Sequence, residues 1–399
     1  MNLYKKIQET EHTLYILNPF SKGKNIYNLI TTFKQINISD FFFFLKKKNY
    51  LFLILFLFWK LIKDKNLSYS HRIKLILFFF SRPKEFLIIF DNIRRIYPFL
   101  KNIDFNIMVS AHSGWIFPLS YVLSRILNKK LVTMAHGNDF LIRSPLTLKT
   151  YFFRNVDKII VSNNLMKKYI MRTHQLHDNQ IEVINRGINL EESKVVESKE
   201  QLRKEFNIPK DAFVILSVGR HNSRKKFDLV IKAISKIKKL KPSISLRYYL
   251  IGEGKETANL KNITTELGLE KEVKFLGSCD NKLRNKFYKL SDLFIMPSIT
   301  RGVDIEGFGI VFLEANYYKL PVIGTSTGGI TEAIIDGETG LLIEPNNLNS
   351  LNDKIIKLLE NKDLRDIMGE KGYRRVIKDF SWDELVYQYI KVFSDVLGY

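Results

Sequence analysis

The sequence has one cysteine in 399 residues, Cys279, so no disulfide can form within the chain. That usage fits a reducing compartment, and a cytoplasmic protein is expected. A secretory leader is not expected either, because the opening "MNLYKKIQETEHTLYILNPF" has no apolar stretch running to a small-residue cleavage site. No CxxC, HExxH or clustered His/Asp pattern stands at metal-ligand spacing, so neither a bound metal nor another cofactor is expected. Zinc-finger, RNP and helix-turn-helix signatures are missing, as is any repeat with a period of about 20–50 residues.

Acidic residues are scarce in one half only. Residues 1–190 carry 29 Lys+Arg against 11 Asp+Glu, a net +18, whereas residues 191–399 carry 34 against 30, a net +4. The same basic half holds "FFFFLKKKNYLFLILFLFWKLIKDK" (Phe41–Lys65) and "LILFFF" (Leu75–Phe80), apolar runs broken by lysines. Within the first of these the longest uncharged run, Asn49–Trp59, is short of the ~20 residues of a spanning helix. Aromatics interleaved with lysines suit a helix lying in the interface of an anionic membrane, where each nearby cation contributes about 1 kcal/mol. Residues 41–100 are therefore expected to meet an anionic membrane surface, which would make the protein peripheral on the inner face of the cell membrane. A buried core helix with solvated lysine flanks is the plainer alternative. Nucleic acid is not the expected partner.

What is present is a regular alternation of short apolar strands and longer helical patterns, the pattern of an α/β protein with parallel sheets. A hydrophobic fraction of 45% and this length predict two globular domains. In the first half, "TLYIL" (13–17), "FNIMVS" (105–110), "KLVTMA" (130–135), "KIIVS" (158–162) and the start of "IEVINRGIN" (181–189) read as strands, with "IFPLSYVLSRIL" (116–127) as a helix. The polar stretch 190–206 reads as a linker. The second half repeats the alternation with "FVILSVG" (213–219), "SLRYYLIG" (245–252), "EVKFLG" (272–277), "LFIMPS" (293–298) and "PVIGT" (321–325). Strands ending in Gly or a small polar residue line the ligand crevice of an open parallel sheet.

The chemistry concentrates at those strand ends. "DIEGFGIVFLEA" places Glu306 before a Gly-Phe-Gly turn and Glu314 about two helical turns further on. Glycines at a helix start let backbone N–H groups approach an anion, and carboxylates nearby suit sugar hydroxyls, which need acceptors. Read alone, Glu314 is equally an exposed helix residue and Glu306 a charge complementing the helix dipole. Arg220 directly follows a strand, with Lys225 five residues on, a pair able to grip a diphosphate or simply to decorate a basic loop. Gly328 and Gly329 form a further tight turn. "IGEGKET" fails as a dinucleotide fingerprint because Thr257 stands where the third Gly belongs. His136, in "AHGND", and His112 end strands of the first half and read as cleft or as loop histidines.

Taken together, Gly-Arg…Lys, Glu-Gly-Phe-Gly-x4-Glu, the Gly-Gly loop and His-Gly-x-Asp resemble glycosyltransferase family 4, retaining enzymes of the GT-B fold. The resemblance covers about residues 105–395 and is strongest over 213–345. It implies two Rossmann-like domains facing across a cleft. An N-terminal acceptor-side domain would span 1–195 and a nucleotide-sugar donor domain 196–378, and the terminal helix, 379–399, would cross back to the first domain. It implies a metal-independent hexosyl transfer, and the basic, aromatic first half points to a hydroxyl of a lipid-linked or cell-surface glycan as acceptor, as in lipopolysaccharide or capsule assembly. Arg220 and Lys225 would bind the donor diphosphate and Glu314 the ribose. Glu306 with the backbone of Gly307, Phe308, Gly309 and Ile310 would hold the transferred sugar. His136 would contact that sugar near the reacting carbon, and Gly277 would line the base site, with Gly23 in the N-terminal donor loop. Lys226 departs from the family, which usually has Gly there, and "NPFSKGKN" has Gly23 alone where many members have a Gly-Gly pair. An epimerase of the same fold would share the donor site, and a basic nucleic-acid or membrane-binding protein without catalysis would explain the charge alone.

Overall fold

The computed structural model describes residues 93, 96, 97, 100–111, 113, 116–135, 148–302 and 304–399. Gly23, His112, His136, the first expected strand and nearly all of the basic aromatic segment lie outside the described residues. The chain divides into two compact units, one of residues 1–184 with Val386–Tyr399 and the other of Asn185–Leu385.

In the first unit, β1 (Ile107–Ser110), β2 (Lys130–Ala135), β3 (Lys158–Val161) and β4 (Ile181–Val183) form a parallel sheet in chain order. They alternate with α1 (Ile116–Leu127), α2 (Leu148–Arg154) and α3 (Asn164–His174). Strands β2 and β3 are apolar and almost wholly buried, as central strands of a parallel sheet must be. Helices α1 and α2 interlock through aromatics, with Tyr121 and Phe152 ring centroids 4.6 Å apart and Phe117 and Phe153 4.8 Å apart. Helix α3 starts where the Asn163 side chain accepts the Met166 N–H at 2.7 Å, satisfying one of the orphan donors of its first turn.

The second unit begins before the polar stretch 190–206, which is not a bare linker. Ser198 and Gln201 exchange side-chain-to-backbone hydrogen bonds of 3.2 and 2.8 Å, a capping box that starts α4 (Lys199–Glu205). Then follow β5 (Phe213–Val218), α5 (Phe227–Leu240), β6 (Leu246–Ile251), α6 (Thr257–Glu266), β7 (Val273–Gly277) and α7 (Asn281–Leu290). The unit continues through β8 (Leu293–Met296), α8 (Ile310–Tyr317), β9 (Val322–Thr325), α9 (Ile330–Ala333), β10 (Gly340–Ile343), α10 (Leu348–Glu360) and α11 (Lys362–Asp379). A last helix, α12, spans Trp382–Leu397.

All six strands of this unit are parallel, in the order β10-β9-β8-β5-β6-β7. The chain runs outward from β5 to β7, returns to lay β8 against the other side of β5, and then runs the opposite way. The reversal lies between β5 and β8, and a sheet of this order opens a crevice at the carboxyl ends of those two strands. Their interiors, with Ile215, Leu216, Phe294 and Ile295 fully buried, give the loops above them a rigid base.

Candidate functional site

Two loops meet at this switch point. The loop after β5 carries Arg220 to Lys226, and the loop after β8 carries Pro297 to Gly309. They are stitched by backbone, since Ile299 donates its N–H to the Arg224 carbonyl at 2.9 Å. Side chains complete the junction. Glu306 Oε2 accepts from Lys225 Nζ at 2.5 Å and from Arg224 Nη1 at 2.7 Å. Arg224 Nε also lies 3.2 Å from Asp304 Oδ1, an ion-pair distance without hydrogen-bond alignment. Lys225, Arg224 and Glu306 each expose only 11–13% of their side chains.

Burial presses the Lys225 ammonium below its ordinary value, although Glu306 holds it in the charged form. The same burial works against the Glu306 carboxylate, but Lys225 and Arg224 outweigh it and keep Glu306 below the usual carboxylate value. The loops therefore hold two cations close together, with one shared carboxylate as their counter-charge.

The backbone around Glu306 is fixed by the Gly-Gly loop, as Gly329 donates its N–H to the Glu306 carbonyl at 2.9 Å. Gly328 is in the left-handed region (φ +60°), and a Cβ there would stand 2.7 Å from that same carbonyl. Gly309 caps α8 with φ +79°, again left-handed. An eight-residue helix starts there, its Phe312 N–H donating to the Gly309 carbonyl at 2.9 Å, while the N–H groups of Ile310 and Val311 precede the first i−4 bond. The Phe308 side chain is buried against Phe380 at 5.7 Å between ring centroids.

The structure brings some of the sequence-predicted residues together and leaves others apart. Lys225 and Glu306 come together, joined by Arg224, the neighbour of Lys225 that the sequence reading did not single out. Arg220 is exposed on the same loop and makes no side-chain hydrogen bond or ion pair among the described residues. Glu314 is not an exposed helix residue, for it accepts from Tyr288 Oη at 2.8 Å and lies 3.4 Å from Arg284 Nη2. Gly277 ends β7 with its carbonyl accepting from Gly252 N–H at 2.8 Å, which ties the expected base loop to the loop after β6. His221, also unanticipated, anchors the clamp loop, its Nδ1 being 2.9 Å from Thr257 Oγ1.

Lys226, the departure from the family pattern, adopts the conformation that glycine favours (φ 54°, ψ 36°) as the cap of α5. A Cβ in that region costs roughly 1–2 kcal/mol. Lys226→Gly is therefore expected to stabilise the protein by about 1 kcal/mol, seen as a higher urea midpoint at unchanged slope.

Both units of the chain are similar to known proteins. Residues 198–375 match the family described as Glycosyl transferases group 1, and residues 62–192 match Glycosyltransferase Family 4. A glycosyltransferase of Methanocaldococcus jannaschii is 31% identical over 292 residues, covering 71% of this chain and 75% of its own length. The N-acetyl-alpha-D-glucosaminyl L-malate synthase of Bacillus anthracis is 29% identical over 67% of this chain and 68% of its own length. Among solved structures, Anabaena HepE in complex with UDP superposes with a TM-score of 0.66 at 19% identity, over 77% of this chain and 82% of that one. The fold is that of the GT-B glycosyltransferases, two α/β domains each built on a parallel sheet. The chain belongs to the group 1 glycosyltransferases, family 4.

Proposed function

We propose that the chain is a retaining, metal-independent hexosyltransferase. It takes a nucleotide-sugar as donor and a hydroxyl of a lipid-linked or cell-surface glycan as acceptor. The observation that carries this reading is the convergence of Lys225 and Arg224 on Glu306 at the β5/β8 switch point, in the loop that leads into the N-terminus of α8. Such a site suits a diphosphate next to a polyhydroxylated ring. The UDP held by the Anabaena structural neighbour supports a nucleotide as part of the donor.

In this mechanism the bond between the sugar's anomeric carbon and the diphosphate oxygen breaks, and its electron pair leaves with the phosphate. Lys225, Arg224, Arg220 and the α8 N-terminus stabilise the charge that develops there, a preorganised electrostatic effect. The acceptor oxygen attacks the same face and its proton passes to the departing phosphate oxygen, so configuration is retained without a protein nucleophile. Glu306 and the backbone of Gly307–Ile310 hold the sugar hydroxyls, Glu314 the ribose, and Gly277 borders the base. His136 and Gly23, outside the described residues, keep their roles from the sequence.

The basic, aromatic composition of residues 41–100 supports an anionic membrane surface as the place where a lipid-linked acceptor is met. Among the described residues no helix is long and apolar enough to cross a membrane. The reading is tested by thermal shift against UDP-, GDP-, ADP- and dTDP-sugars without added metal. One nucleotide class is expected to raise the melting temperature of the wild type and not of Lys225→Ala. No shift with any of them would overturn the donor site.

A further inference from the structure

Glu314 is held by two residues of α7 to which the sequence gives no role. Arg284 and Tyr288 stand four residues apart, hence on one face of that helix. Tyr288 Oη donates to Glu314 Oε2 at 2.8 Å, and Arg284 Nη2 lies 3.4 Å from Oε1. The Tyr288 ring cannot wander. It is fully buried, stacks on Tyr318 at 5.7 Å with 7° between planes, and rests 5.8 Å from the Phe294 ring. Burial and the neighbouring Glu314 push its hydroxyl far above the ordinary value, so it remains a protonated donor. Arg284 Nε is buried without a hydrogen-bond partner, which leaves this guanidinium with donor capacity to spare beside the carboxylate.

An ionised carboxylate has about four acceptor positions, and the single Tyr288 proton uses one of them. Glu314 keeps 19% of its side chain exposed, enough to take hydroxyls of a ligand with what remains. A glutamate on a flexible stem would follow whichever hydroxyl is offered. One fixed from behind cannot relax when a hydroxyl is missing, and sites of that kind discriminate best against the analogue lacking it. We infer that Tyr288, with Arg284 beside it, is the positioning residue that fixes Glu314 against the ribose diol and so sets the preference for ribonucleotides over 2′-deoxyribonucleotides. This rests on the donor reading above and adds a specificity determinant to it.

Calorimetric titration with UDP, GDP and ADP identifies the nucleotide bound best, and its 2′-deoxy form is then titrated against the same proteins. Wild type is expected to favour the ribonucleotide by about 10- to 100-fold, the worth of a hydrogen bond to a charged group. Tyr288→Phe, which keeps the stacked ring, is expected to lose about tenfold in ribonucleotide affinity while 2′-deoxy affinity stays put, so that the ratio collapses. In a Glu314→Gln background the same substitution should add nothing. Arg284→Met, at a partly exposed position, should lower the ratio in the same direction and serves if Tyr288→Phe does not fold. A wild-type ratio in these variants, or equal weakening of both nucleotides, overturns the inference and leaves the donor site standing. Wild type that binds none of the three nucleotides also overturns the inference, and the donor reading falls with it only if dTDP is not bound either.

Discussion

Replacing Lys225 with alanine is expected to lower kcat/KM for sugar transfer by about 10²–10³-fold, the usual cost of removing one preorganised partner of transition-state charge. Far-UV circular dichroism should be unchanged, because the Arg224–Glu306 pair at 2.7 Å still closes the loop. Glu306→Gln makes the sharper companion. Arg224 and Lys225 both spend charge on Glu306 Oε2, and a diphosphate has to compete with that carboxylate for them. Neutralising Glu306 removes the competitor, so nucleoside diphosphate should bind more tightly. Turnover should fall, because the sugar loses a charged acceptor for its hydroxyls. Lys225→Ala therefore weakens product binding and transfer together, whereas Glu306→Gln separates them in opposite directions. Calorimetry with the nucleoside diphosphate, paired with transfer of a radiolabelled donor sugar to membrane-derived acceptor, checks both. Weaker diphosphate binding by Glu306→Gln would show that Glu306 shapes the pocket rather than guards it.

Much of the second unit was legible in the sequence because its strands are central and parallel. "FVILSV", "LFIM" and "VIGT" are buried on both faces, so they read as unbroken apolar runs closed by small residues. The strand β10, "GLLI", was not anticipated. It is only four residues long at the edge of the sheet, behind the turn "DGETG", though the Pro two residues beyond it was a usable signal. The helix within 190–206 was hidden by its charge, yet Ser198 and Gln201 spell a capping box that could have been read.

At the site, chemistry was legible one loop at a time and partnership was not. Glu306 and Lys225 could be named from local pattern. That Arg224 shares the same carboxylate depends on strand order, which brings loops some eighty residues apart over one crevice. Glu314 could be picked out by its spacing from Glu306, but its partner Tyr288 lies on a helix whose pattern shows only that Tyr288 faces the core. Pattern fixes which side of an element a residue occupies, and the crossing of elements fixes what it meets there.

The second large effect concerns stability and lies away from the crevice. Asp292, just before β8, accepts from Lys199 Nζ at 2.6 Å, from Arg203 Nη2 at 2.6 Å and from the Val214 backbone N–H at 2.7 Å. One carboxylate thus joins α4 to the starts of β5 and β8, the two strands that carry the site. Asp292 exposes 14% of its side chain, Arg203 11% and Lys199 35%. Removing one partner of a buried pair costs about 3–5 kcal/mol because the other charge is stranded. Lys199 keeps a third of its side chain in water and both cations retain carbonyl partners, so Asp292→Ala is expected at the low end, about 3 kcal/mol. Asp292→Asn, which can still accept from Val214, should lose less. Burial disfavours the charged Asp292, but Lys199 and Arg203 outweigh it and hold its carboxyl below its ordinary value of 3.8. The stabilisation it gives is therefore fully present above about pH 4 and is lost as pH falls through the lower folded-state value. Urea unfolding followed by circular dichroism at pH 7 and at pH 3 measures both effects. The gap between wild type and Asp292→Ala should be wide at pH 7 and narrower at pH 3. A gap that does not change with pH would mean that Asp292 acts through its hydrogen bond to the backbone rather than through its charge.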